Sequence, residues 1–280
     1  MIRKLQVIFI FSLVTLMLVS SCGLTKPPVT AVLPTATANP PTTTAEPPKE
    51  PKILFIGDSY TSMFRGLDEH MIGLAASNNP PLIIEADKVT FGNTSLWGHW
   101  VGPKAVPAIQ KGGWTVVVLQ DDLEYYDYDV EPFYEYHHNF YEEIKKIGAE
   151  TVLYLTWKQE GTDPINVEKM DNAYANISAE LGVKVAPVGP AWRRAIAERP
   201  DLDLYEGDRS HPSIAGTYLA TAVLYATIFD TSPEGLPFVP TDLIEEDSPF
   251  YKEWKLSEGD IAFLQQIAWQ SVVDYQNENK

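Results

Sequence analysis

Three short runs constrain this chain more than anything else in it: "ILFIG" (53–57), "WTVVVLQ" (114–120) and "TVLYLTW" (151–157). Each is almost continuously apolar and too short for an ordinary helix. Runs of this kind read as strands buried on both faces, which occur in parallel sheets. Two further runs, "LIIEADKVTF" (82–91) and "VKVAPVG" (183–189), complete the set of strands. Helical spacing predicts helices over 61–76, 96–110, 132–147, 166–181, 190–198 and 213–229. A last helix, 257–276, opens on Ser257 and Asp260 at capping-box spacing. Strand–helix alternation argues for an α/β domain with a doubly wound sheet. Ligands in such sheets sit at the carboxyl ends of the strands. Those ends read "GDSY", "GNTSL", "QDDLEYYDY" and "TWKQEG", and "EGDRSHPS" precedes the helix at 213.

The sequence ahead of the first strand differs in kind. Arg3 and Lys4 precede the apolar run "LQVIFIFSLVTLMLV". That run is shorter than the roughly 20 residues a spanning helix needs, and its flanks fit an export signal over 1–21. Small residues before Cys22 resemble a bacterial lipobox, which would make Cys22 the lipidated first residue of the mature chain, carrying acyl groups such as palmitate. Cys22 is the only cysteine, so the chain has no intrachain disulfide, and acylation accounts for the leftover thiol. A simple cleaved signal with an incidental cysteine, or an uncleaved anchor, is the plainer reading. Residues 22–51, rich in Pro and Thr, read as a disordered or semi-rigid tether. The domain is then 52–280, including the C-terminal helix. The expected location is the bacterial cell envelope, outside the cytoplasm and held to a membrane by the lipid on Cys22.

The formal net charge is −17, and removal of a signal carrying two basic residues makes the remainder more acidic. Nucleic acid and anionic lipid are poor partners for such a chain, since both select basic patches. The charge itself needs no more than solubility as its explanation. The domain is expected to be a monomer.

A hydroxyl nucleophile needs a base, and the base needs an orienting partner. Ser59 supplies the hydroxyl, His211 a base, and Asp208, three residues before it, an orienter. Alone, Ser59 is equally a helix cap, and a lone Asp-x-x-His on a loop is more often structural.

Together, "GDS" after the first strand and "DxxHP" before a late helix resemble the SGNH/GDSL hydrolase superfamily, from about Ile53 to Phe229. The stretch "SHPSIAGTYLATA" is similar to SGNH-type bacterial proteins of unassigned substrate. The resemblance implies a flavodoxin-like three-layer α/β/α sandwich with a central parallel five-stranded sheet. It implies Ser59 as nucleophile, His211 as general base, Asp208 as its acid and Asp58 as a loop organiser. It also implies three oxyanion donors: the Ser59 N–H, the Gly92 N–H, and an Asn side chain after the third strand. That Asn position falls on Asp122, whose ionised carboxylate would repel an oxyanion. Gln120 is the favoured substitute donor, with Asn93 behind it. The implied activity is a serine esterase needing no cofactor, removing acetyl or other acyl groups from glycan. A lipid or lysophospholipid esterase, and an inactive binding lipoprotein on the same fold, are the rival readings.

Around this centre, Tyr125, Tyr126 and Tyr128 read either as a substrate rim or as a solvated loop. Trp157, at the end of the fourth strand, reads as pocket lining or core. Asp127, Asp129 and Glu131 alternate as in a calcium loop, but Pro132 stands where that loop needs Gly. His137 and His138 are adjacent and point apart on a helix, and His70 and His99 lack nearby ligands at metal spacing, so no catalytic metal is expected.

Overall fold

The computed structural model describes residues 50–240 and 255–279. The expected signal, the greater part of the tether and Cys22 lie outside the described residues. Five strands form the sheet: β1 (Lys52–Gly57), β2 (Glu85–Thr90), β3 (Val116–Asp121), β4 (Glu150–Leu155) and β5 (Lys184–Pro187). The helices are α1 (Ser59–Ser62), α2 (Leu67–Ala76), α3 (Leu96–Val101), α4 (Ala105–Gln110), α5 (Val130–Lys146), α6 (Pro164–Leu181), α7 (Val188–Glu198), α8 (Ile214–Phe229) and α9 (Glu258–Glu278). Strand order is β2-β1-β3-β4-β5, with every pair parallel. This is the flavodoxin-like order, whose switch point lies between β1 and β3.

The two faces of the sheet follow from side-chain alternation. Ile53, Phe55, Val116, Val118, Val152 and Tyr154 face the layer of α2, α7, α8 and α9. Leu54, Ile56, Val117, Leu119, Leu153 and Leu155 face α3, α4, α5 and α6. Both faces are covered, which is why β1, β3 and β4 carry no polar alternation. The edge strand β2 is only partly buried and reads "EADKVT". Helix α8 is buried nearly all round, between the sheet and α9, and the capping box of α9 is formed by Ser257 and Asp260.

Two expected helices are each divided. The span 61–76 breaks into α1, a 3₁₀ turn at Met63–Arg65, and α2. The chain leaves helical geometry at Met63, with ψ of 152°, passes Phe64 and Arg65 at positive φ and reaches Gly66 at φ of 102°, a conformation that glycine adopts without steric cost. The span 96–110 breaks between α3 and α4, because Pro103 has no N–H to give and holds Gly102 extended. The strand expected over 82–91 is shorter, since the first residues after "NNPP" do not pair with β1.

Candidate active site

The chain leaves β1 at Gly57 and turns at once into α1. Asp58 is the residue that caps this turn, its Oδ1 accepting from Tyr60 N–H at 2.8 Å. Ser59 is therefore released from capping. Its Oγ lies 2.9 Å from His211 Nε2. On the other side of the ring, Nδ1 donates to Asp208 Oδ2 at 2.5 Å. A carboxylate on Nδ1 fixes the proton there and leaves the Nε2 lone pair facing the serine hydroxyl. Asp208 also takes the backbone N–H groups of Ser210 and His211 on Oδ1, at 3.0 and 2.9 Å. The bond from His211, then those two, hold the Asp208 carboxyl down at about 2. Ser59, His211 and Asp208 are thus brought together from opposite ends of the domain in an order of contacts that can transfer a proton.

The loop bearing His211 is shaped by its own residues and by the segment that follows β4. Arg209 sits in the left-handed region, φ 60°, and is held by Glu160 at 2.7 Å and Asp203 at 2.6 Å. Trp157 donates from Nε1 to Ser210 O at 2.9 Å, and Tyr60 Oη shares a 2.6 Å bond with Ser210 Oγ. Tyr60, Trp157 and Trp192 stack in a column, with centroid spacings of 4.6 and 4.0 Å. The column ties the residue after Ser59 to the residue before His211.

A cavity of about 530 Å³ opens at this centre, lined among others by Ser59, Gly92, Asn93, Tyr125, Lys158 and His211. Among the described residues, the Ser59 N–H meets no acceptor. Gly92 and Asn93 both reach the cavity, Asn93 through a left-handed turn at φ 54°. Nothing stands within 4 Å of where a Gly92 side chain would begin, so the space above it is open.

Three expected placements are corrected. Gln120 is buried and does not line the cavity. Its Oε1 accepts from Asp58 N–H at 2.8 Å and Thr61 Oγ1 at 3.0 Å, and its amide nitrogen is enclosed. It braces the serine loop from below and gives no donor to a ligand. Trp157 is 1% exposed and packs in the column instead of lining this cavity. Tyr126 turns away, donating to Asp121 Oδ2 at 2.8 Å and accepting from Trp97 N–H at 3.2 Å. Tyr125 does line the cavity, and its hydroxyl donates to Asp58 Oδ2 at 2.9 Å. Tyr128 lies with its ring 5.4 Å from Lys158 Nζ.

Asp122 lines the cavity, but it is not a bare charge. Lys158 Nζ donates to both its oxygens, at 2.8 and 3.0 Å, and to Glu124 Oε2 at 2.7 Å. Burial alone would depress the lysine; the Asp122 charge and the bonds to both carboxylates outweigh it and raise it. Sequence reasoning passed over Lys158, Tyr60 and Ser210. The available signal for Lys158 was a cation placed directly behind a run of buried strand, in "TWKQEG".

The remaining histidines are structural. His99 Nε2 bonds Gly57 O at 2.9 Å and pins the end of β1. Burial lowers His70 and His137 to about 4. His138 pairs with Glu180 at 3.1 Å. Among the described residues, no three His, Cys, Asp or Glu gather with metal-holding geometry.

No family model and no curated protein sequence matches this chain. Solved structures do. A candidate SGNH hydrolase from Slackia heliotrinireducens is 25% identical at a TM-score of 0.52, over 64% of this chain and 98% of that one. A DUF4886 family protein from Bacteroides uniformis is 14% identical at 0.54, over 80% and 95%. An acetyl-xylooligosaccharide esterase from Geobacillus is 18% identical at 0.53, over 64% and 94%. The last two carry the likeness of fold. The fold, with the first of these neighbours, places the chain in the SGNH/GDSL hydrolase superfamily.

Proposed function

We propose that this chain is a serine carboxylic-ester hydrolase in which Ser59 is the nucleophile, His211 the general base and Asp208 its orienting acid. The observation that carries this reading is the unbroken sequence of contacts from Ser59 Oγ to His211 Nε2 and from His211 Nδ1 to Asp208. Attack by Ser59 Oγ on an ester carbonyl passes its proton to Nε2, and the imidazolium returns that proton to the departing alcohol. Water, deprotonated by the same nitrogen, then hydrolyses the acyl-enzyme. The Ser59 N–H and the backbone at Gly92, with the Asn93 amide beside it, are the donors proposed for the oxyanion.

The proposed substrate is a short acyl ester, such as acetyl, on a glycan. The cavity lining supports this, since Asn93, Gln159, Tyr125 and Ser210 offer hydrogen bonds suited to hydroxyl-rich molecules. Among its described lining residues there is no aliphatic side chain to receive a long acyl tail. Export and lipid attachment at Cys22 complete the proposal and rest on the sequence pattern.

Hydrolysis of p-nitrophenyl acetate and of acetylated xylo-oligosaccharides by wild type and Ser59→Ala is the test. The expected loss in the variant is roughly 10³-fold or more in kcat. Equal rates for the two proteins, together with no phosphonate adduct on Ser59, would sink the reading. Labelling of cells with a palmitate analogue, lost in Cys22→Ala, checks the anchor.

A further inference from the structure

An ester carbonyl attacked by Ser59 gathers negative charge in a cavity whose lining is already acidic. Asp58, Asp122 and Glu124 all contribute to it, and Lys158 is the single lysine or arginine among the described lining residues. Three hydrogen bonds tie that cation to the carboxylates: two to Asp122 and one to Glu124. The pair is enclosed, with side-chain exposures of 4% for Lys158 and 11% for Asp122. Charges so placed are weakly screened by water or salt. A buried aliphatic stem ending in one ammonium, gripped on both oxygens of one acid, is a costly arrangement to maintain unless the pairing has an effect.

We propose that Lys158 is a positioning residue for the ester-hydrolase reaction, neutralising Asp122 so that no unpaired carboxylate opposes the oxyanion formed when Ser59 attacks. This rests on the serine esterase reading above. Lys158 acts through Asp122, not by touching the reacting atoms. The consequence is an asymmetry between the two partners. Removing the lysine leaves a bare carboxylate facing the developing charge. Removing the carboxylate's charge leaves nothing to oppose it.

The experiment compares Lys158→Met, Asp122→Asn and the double variant in the full chain. It reads kcat and KM on p-nitrophenyl acetate, the second-order rate of Ser59 phosphonylation by a fluorophosphonate, and Tm. Active-site titration normalises each preparation to folded enzyme. Lys158→Met is expected to lose about 100-fold in kcat and in phosphonylation rate, on the scale of a lost oxyanion donor, with KM little changed. Asp122→Asn is expected to lower Tm, because it breaks the pair, and to hold kcat at or above wild type, because it removes the opposing charge and puts an amide where the resemblance implies an oxyanion donor. The double variant is expected to recover at least about tenfold of what Lys158→Met loses. If Lys158→Met does not fold, Asp122→Asn decides alone: a kcat falling in step with Tm overturns the proposal and leaves the pair a purely structural tie. A double variant as slow as Lys158→Met also overturns it, as does a Lys158→Met with wild-type kcat. If wild-type Ser59 takes no phosphonate and hydrolyses no ester, the esterase reading itself has failed and this proposal falls with it. A labelled wild type whose variants behave alike removes only the role of Lys158.

Discussion

The two loops that meet over Ser59 are built in opposite ways. In the 206–212 loop, bonds between near neighbours set the Asp208–His211 pair, while Glu160, Trp157 and Tyr60 hold Arg209 and Ser210 from outside. Asp208 bonds residues two and three positions on, and Arg209 N–H bonds Glu206 O at 2.9 Å. It is also open to water, with Asp208 51% and His211 36% exposed in their side chains. The segment leaving β3 is its reverse. Asp121 is fully buried and accepts from Leu96 N–H and Tyr126 Oη, Tyr174 bonds its backbone on both sides, and Asp122 holds Lys158. Most of these partners lie 25 or more residues away. The difference suits the tasks proposed for them. A base that must gain and lose protons sits where the charged ring can be solvated. A wall that must keep its carboxylate paired sits where nothing can relax around it.

The largest expected effect tests the exposed side. Asp208→Asn removes the acceptor that sets the His211 tautomer, and kcat should fall roughly 10³–10⁴-fold. A loss below tenfold would show that the short local bond is dispensable. Next comes the aromatic column that braces this loop. Trp157→Ala deletes a fully buried ring and should cost about 3–5 kcal/mol in urea unfolding. Activity per folded molecule should fall with it, since Ser210 loses its backbone tie.

Titration sharpens the contrast further, because the two sides carry opposite signs. Asp208 is depressed to about 2 from 3.8, so its contribution to stability is present above about pH 4 and is lost as pH falls toward 2. Asp121 is the converse: burial holds it well above 3.8, so its ionisation opposes folding as pH rises. The Tm advantage of wild type over Asp208→Asn should therefore shrink between about pH 4 and pH 2. Against Asp121→Asn, wild type should lose ground as pH climbs above about 4. Parallel Tm curves for wild type and Asp121→Asn would remove the distinction. The smallest effect is on the bond that joins the buried side to the serine loop. Tyr125→Phe removes one hydrogen bond to Asp58, which keeps its bond from Tyr60 N–H. A loss of about 1 kcal/mol, or roughly 2–4 °C in Tm, is expected by scanning calorimetry.

The same division decides what could be read from the sequence. The local side was legible, because Asp208, His211 and Pro212 stand within one short motif. The parallel sheet was legible too, since strands covered on both faces lose their polar alternation. Lys158 and Asp122 are 36 residues apart, and no pattern within either segment announces their pairing. Gln120 shows a subtler limit. Its place at the end of β3 is readable, but whether the amide turns up toward a ligand or down toward Asp58 depends on Asp58 and Thr61 at the start of α1. The periodicity of 61–76 continues on both sides of Gly66, while the backbone from Met63 to Gly66 takes conformations that periodicity does not encode. Trp157 is expected to end the fourth strand, yet β4 stops at Leu155, and only its stacking partners, far off in sequence, assign it to the column.

Lys52 begins β1 at the end of the sheet away from Ser59, and all five strands share that polarity. For bench work this gives a handle. A domain cut at residue 50 and coupled to a bead through its amino end would be gripped at the base of its sheet, leaving the cavity mouth turned toward the flowing substrate.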